Sequence, residues 1–295
     1  MRPLPTRLAA SLALLAIGTT WGLTVPLGKI AVEAGHRPAG IIVWELALTI
    51  PCLILFCRPA IARSKHLPRF IFVALLGTLL PNSASYLAYD ALPAGVMSIV
   101  IAAVPMLSLP VALALGLERP DPLRLAGVCL GLFAITLIAA PKASLPDPSA
   151  APWLLVALIP PLCYAIEGNG LALRGSGGLS AAETLLGAAV VGLVIAIPVA
   201  LLRGQWIALA PWDTGKTAII ALSLLHIAAY TGYIWLISWA GSVFAAQVAY
   251  IVTITGVFWS MALLSESYSS WVWAALFVMM AGLALVAPKG SAQKA

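Results

Sequence analysis

Two matching sets of polar side chains carry the chemistry this chain can offer. Asn82, Tyr86 and Tyr89 fall at i, i+4 and i+7, and 144 residues later His226, Tyr230 and Tyr233 fall at the same spacing. On an α-helix that spacing lines one face. A tyrosine ring can stack on an apolar or aromatic ligand while its hydroxyl orients it. Asn and His add groups that hold a polar substrate, and His can also carry a proton. In an apolar setting such a stripe faces a wet interior or bonds a neighbouring helix. Its appearance in two separate stretches favours the lining role.

Further candidates surround these. Glu167 lies in Tyr164-Ala-Ile-Glu-Gly-Asn-Gly170, where two glycines would loosen a helix and admit water. It is read as a group for a substrate amine or a proton, against the alternative of an interfacial acid paired with Arg174. His226 is read either as a coupling or substrate group or as a satisfied packing residue. Gln247 and Tyr250 share a face. Glu45 and Glu183 are read as acids at helix N-termini near the outer face, where the helix dipole favours negative charge. Pro105 removes a backbone hydrogen bond and makes either a bend or a hinge for rocking.

The elements that must position these groups are transmembrane helices. The chain is 62% hydrophobic and 9% charged, with mean hydropathy +1.05, whereas soluble proteins carry about a quarter charged residues. Ten apolar runs are long enough to cross a bilayer: 8–31, 39–57, 70–91, 94–117, 123–140, 152–173, 181–202, 217–239, 243–264 and 270–287. The first follows Arg2 and Arg7 but is too long for a secretory signal and is read as retained. Cys52, Cys57, Cys129 and Cys163 lack metal spacing and are read as buried packing residues.

The Tyr-x-x-Tyr pairs belong to a longer duplication. Ala94-Gly95, Glu118 and Ala140-Pro141-Lys142 recur as Ala240-Gly241, Glu266 and Ala287-Pro288-Lys289. Five helices per copy is an odd number, so the second copy enters the membrane inverted. The reading is therefore two domains, 1–145 and 146–295, as inverted-topology repeats. Lys and Arg set the orientation. With the N-terminus cytoplasmic, eleven lie inside and five outside, so both termini are read as cytoplasmic. Trp153, Trp206, Trp212, Trp271 and Trp273 then form an outer aromatic belt. Gly18-x-x-x-Gly22 and Gly127-x-x-x-Gly131 permit close helix packing, the latter alternatively a dimer contact.

On Trp21-Gly22 and Lys29 in the first helix, Pro105 in the fourth, Glu118 before Gly127 and Gly131, and Glu266 before Gly282, the chain resembles ten-helix EamA-type members of the drug/metabolite transporter superfamily. Within it, the chain is most similar to YddG-type exporters of aromatic and other amino acids. The second copy departs at Tyr164-Ala165, which stands where the first has Trp21-Gly22. The resemblance implies a cavity between helices 1–4 and 6–9, lined by Trp21, Asn82, Tyr86, Tyr89, Tyr164, Glu167, His226, Tyr230, Tyr233, Gln247 and Tyr250. It also implies a homodimer through helices 5 and 10.

No Walker A loop, His-Glu-x-x-His, Gly-x-Ser-x-Gly or cysteine cluster occurs, so neither ATP drive nor those catalytic centres are expected. No cofactor, metal or nucleic-acid partner is expected; the net charge of +6 is read as a topology signal. The expectation is an all-α, multi-pass inner-membrane transporter exporting amino acids or related metabolites. Transport of nucleosides, amines or drugs, an intramembrane lipid-modifying enzyme, and a channel are the rivals.

Overall fold

A computed structural model describes residues 7–56, 66–140, 144–175 and 177–286. Cys57, Arg58, Arg63, Lys65 and both Pro-Lys pairs of the duplication lie outside them. Ten helices follow one another: α1 (Arg7–Glu33), α2 (Pro38–Phe56), α3 (Leu67–Tyr89), α4 (Ala94–Ala114), α5 (Pro122–Ala139), α6 (Trp153–Arg174), α7 (Ala181–Leu202), α8 (Thr214–Ala240), α9 (Val248–Leu264, preceded by the turn Ser242–Ala245) and α10 (Ser270–Val286). All ten expected spans are present. Eight are apolar over at least 18 residues; α9 and α10, at 17 residues each, rise about 26 Å. The chain is a multi-pass membrane protein.

Local chemistry sets the boundaries. Asp121 Oδ1 accepts from the Leu123 and Arg124 amides at the start of α5, and Asp213 Oδ1 from the Lys216 amide at the start of α8. Ser180 and Glu183 form a reciprocal capping box on α7. α4 stops at Ala114, three residues before the expected end. Gly116 adopts φ +69°, and the amides of Gly116 and Leu117 bond back to Leu113 and Ala112, a glycine C-cap the apolar run conceals.

Four spans are interrupted. α3 passes through a π-helical stretch, Leu75–Leu79, ahead of Pro81. α4 breaks at Ala102–Ala103, just before Pro105. α6 breaks at Leu158, before Pro160-Pro161. α9 resumes after its leading turn at Gln247. Gly168 and Gly170, expected to loosen α6, lie within continuous helix, because the break falls at the prolines instead.

α1 packs on α8 and α9, α6 on α3 and α4, α2 on α7 and α8, α3 on α7, and α5 on α10. Both glycine pairs serve these contacts. A Cβ at Gly22 would lie 2.9 Å from the Gly256 nitrogen, and one at Gly127 would lie 2.7 Å from the Gly282 carbonyl oxygen. The Trp259 indole donates to the Thr19 carbonyl (3.2 Å) in the same α1–α9 seam. Cys163 is buried and Cys52 half-buried, but Cys129 is exposed: an apolar membrane helix can turn a small residue outward to lipid.

The two ends of the bundle differ. At the end carrying the α1–α2, α3–α4, α7–α8 and α9–α10 connections, polar ties are dense. His36 Nε2 lies 2.9 Å from Asp213 Oδ1, Lys216 Nζ lies 3.1 Å from Asp213 Oδ2, and Arg37 pairs with Asp90 at 3.0 Å. The Ala39 amide donates to Gln205 Oε1 (3.1 Å) and the Trp44 indole to the Ile207 carbonyl (3.2 Å). Glu183, expected near the same face as Glu45, belongs to the opposite end: consecutive helices alternate in direction, and the segment preceding α7 is held there by Arg69, which donates to the Gly175 carbonyl.

Two outcomes are expected. Gly282→Leu forces side-chain atoms into the α5–α10 backbone contact and lowers stability by ~1–3 kcal/mol, read as a drop in the melting temperature of purified protein. For Asp213, burial alone would raise the carboxyl, but hydrogen bonds from His36 and Lys216 outweigh it and hold it below the usual carboxylate range. A carboxyl depressed in the fold stabilises above its unfolded pKa of about 3.9, and that stabilisation is lost as pH falls through the folded value. Asp213→Asn therefore melts earlier than wild type at pH 7, and the gap narrows below about pH 4.

Candidate functional site

The polar stripe of α3 meets α2 and α6 inside the bundle. Asn82 Nδ2 donates to Glu45 Oε2 at 3.3 Å, and Asn82 Oδ1 accepts from the Tyr164 hydroxyl at 3.4 Å. The Tyr86 hydroxyl faces the same Glu45 carboxylate. Tyr86 and Tyr89 are buried with ring centroids 6.2 Å apart. Gly28 on α1 gives these rings room, since a Cβ there would lie 3.1 Å from Tyr89. Glu45 is thus a site residue, not a helix cap. It lies seven residues inside α2, past the first turn where the dipole acts.

Glu167 stands one helical turn beyond Tyr164 and packs against Gly77 in the π-helical stretch of α3. It is not paired with Arg174, whose guanidinium lies 4.9 Å over the Phe72 ring. Tyr230 on α8 is within electrostatic reach of Glu167. On α1, Trp21 makes edge contacts with His226 (5.6 Å) and Tyr233 (5.9 Å). His226 is solvent-accessible although it sits mid-helix against Trp21, so the interior is open there. Asn169 ties α6 to α4 by donating to the Ser108 hydroxyl (2.8 Å) and carbonyl (3.1 Å).

The structure therefore gathers Asn82, Tyr86, Tyr89, Tyr164 and Glu45 in one cluster, and Trp21, His226 and Tyr233 in a second. Glu167 and Tyr230 lie between them. Gln247 is exposed at the kink of α9, Tyr250 is half-buried against the core, and neither joins the hydrogen-bonded chain. Pro105 opens the second half of α4 directly after the break. No cluster of His, Cys, Asp or Glu among the described residues has metal-binding geometry.

Contacts between the α1/α8/α9 group and the α3/α4/α6 group gather at the tied end, through the first half of α4 and the last stretch of α3. Two charges clasp the connection between these segments. Lys29 Nζ donates to the carbonyls of Tyr89 (2.8 Å) and Leu92 (3.1 Å) at the end of α3. Glu266 accepts from the amides of Ala94 (2.8 Å) and Gly95 (3.1 Å) at the start of α4. A cation on carbonyls and an anion on amides each complement a helix dipole. Tyr268 donates to Glu266, and burial together with that carboxylate pushes its hydroxyl well above its ordinary value. In the sequence, Lys29 stood out through resemblance and Glu266 through resemblance and the duplication; their partners are backbone atoms, which no motif records.

Residues 8–140 match the model of the EamA-like transporter family. That stretch is similar to the EamA-like transporter family. No curated protein matches the chain. A solved structure titled "Crystal structure of protein" shares the fold of the whole chain, with TM-score 0.59 and 18% identity over 95% of this chain and 96% of that one. The stretch that matches, residues 8–140, supplies Trp21, Lys29, Glu45, Asn82, Tyr86 and Tyr89. The remaining helices supply Tyr164, Glu167, His226, Tyr230 and Glu266.

The clasp makes a measurable claim. In a variant whose four native cysteines are replaced, a single cysteine at position 89 reacts slowly with a membrane-impermeant maleimide. Glu266→Gln removes the charge at the α4 N-terminus, an interaction worth up to ~2 kcal/mol, and should raise that labelling rate by roughly tenfold. Arg37→Gln, on the exposed rim, should change it less than twofold, as a surface pair contributes little.

Proposed function

We propose that this chain is a secondary transporter that exports amino acids, aromatic and apolar ones favoured, or related small metabolites across the inner membrane by alternating access. The observation that carries the reading is an interior lined with tyrosines, Trp21, His226 and two carboxylates, with its two helix groups clasped at one end by Lys29 and Glu266. A static pore would not need the asymmetry between ends. Two five-helix repeats, 1–145 and 146–295, fit the packing, because exchanging α1 for α6, α3 for α8 and α4 for α9 maps the α1–α8 and α1–α9 contacts onto α6–α3 and α6–α4. In this reading both termini are cytoplasmic, the tied end is the outer gate, and the breaks beside Pro105 and Pro160 are the hinges.

Drive comes from the cargo gradient or from proton exchange. An intramembrane enzyme is disfavoured because, among the described residues, no catalytic constellation gathers around the interior carboxylates. A homodimer through α5 and α10 would use their outer faces, where Leu132, Phe133 and Phe277 are exposed, since Gly127 and Gly282 are engaged within the chain.

In proteoliposomes, efflux of radiolabelled phenylalanine should exceed that of aspartate. Tyr86→Ala and Tyr230→Ala should each reduce phenylalanine flux by about tenfold, the loss of a stacking ring worth ~1 kcal/mol and of an orienting hydroxyl. Unchanged flux in both variants refutes the reading.

A further inference from the structure

We propose that Glu45 is the anchor for a protonated amine on the cargo, and that the cargo needs no free carboxylate. None of the ion pairs among the described residues includes Glu45 or Glu167. The neighbours that hold Glu45, the Asn82 amide and the Tyr86 hydroxyl, are neutral donors. They fix the carboxylate's orientation without neutralising it. Even a half-buried carboxylate with no cation beside it is costly, and a partner of opposite charge removes much of that cost. The rings of Tyr86 and Tyr89 stand beside the same point, and a tyrosine face attracts an ammonium group. Trp21 and Tyr233, in edge contact, extend the apolar wall, room for an aromatic body behind the amine.

Among the described residues, the cations with a partner in the structure are committed elsewhere. Lys29 holds carbonyls at the tied end, and Lys216 pairs with Asp213 and donates to the Pro211 carbonyl. Arg37, Arg69, Arg124 and Arg174 are likewise engaged at the ends of the bundle. Among the described residues, His226 is the one basic side chain placed on the interior wall. A zwitterion's carboxylate would therefore meet, among the described residues, two acids and no lysine or arginine. The chemical class selected is an aromatic or apolar amine, with amino acids accepted through their ammonium end.

Transport of such a cargo rests on the function proposed above, but its binding is measured without it. Purified full-length protein is titrated by tryptophan fluorescence with phenethylamine, N-acetylphenethylamine, 3-phenylpropionate and phenylalanine. Phenethylamine should bind at least tenfold tighter than the acetylated or carboxylate analogue, and no more weakly than phenylalanine, in keeping with a charge-assisted hydrogen bond. Glu45→Gln should abolish the preference for the amine while leaving the acetylated compound unchanged. Glu167→Gln should keep it. Where Glu45→Gln does not purify folded, Glu45→Asp serves, since it withdraws the charge by one methylene and should weaken the amine alone.

Equal affinity for amine and acetylated analogue, tighter binding of 3-phenylpropionate, equal losses for phenethylamine and its acetylated analogue in the Glu45 variants, or no binding by any probe would each overturn the proposal. Amine binding without liposome flux would refute transport and leave the anchor standing. Flux without amine preference would refute the anchor alone.

Discussion

A hydrocarbon layer offers no partner to a backbone amide or carbonyl, and the structure is organised around that constraint. It makes every element helical. It also restricts irregular backbone to places where protein or an open interior can satisfy it. The interruptions in α3, α4, α6 and α9 obey this rule, and each falls in a helix that borders or adjoins a polar cluster, while α1, α2 and α8 carry cluster residues on unbroken helix. The π-helical stretch of α3 gives Glu167 a glycine to lie against. The break of α4 separates a half that seals the tied end from a half that lies along α6. Perimeter helices such as α5, whose duty is packing, run without interruption.

The same constraint explains where charge is found. Most charged groups sit at the helix ends, where caps and dipoles use them. Two acids among the described residues lie inside: Glu45 beside Asn82, and Glu167 against Gly77. Asn82 joins α2, α3 and α6 through one amide, so the orientation of Glu45 depends on three helices at once. A shift of α6 relative to α2 would have to lengthen one of these bonds. Binding chemistry and helix movement are coupled at that residue.

How far the sequence foretold this varies with the kind of signal. The tyrosine stripes were legible, because i, i+4, i+7 spacing survives any packing. The ten spans were legible for the same reason, as apolar length is intrinsic to the chain. Glu45 was not, since an acid near the beginning of an apolar run resembles a cap, and only the neighbouring helices reveal that it faces Asn82 and Tyr86. Glu183 is a true cap, but its end of the bundle depends on counting alternating helices correctly. Cys129 shows that an apolar run does not say which residues meet protein and which meet lipid. The end of α4 was displaced because a glycine turn is hidden within apolar sequence.

The clasp has an evolutionary consequence. Lys29 and Glu266 grip main-chain atoms that every residue possesses, so substitutions at positions 89, 92 and 94 leave their hydrogen bonds available. Gly95 is the exception, since any Cβ there would run into the Tyr268 ring. Across related sequences, Lys29 and Glu266 should each be retained while showing little correlated substitution with the segment they hold. Methods that find contacts from paired changes would be blind to this gate, and its inheritance would show instead as two solitary invariant charges and one invariant glycine.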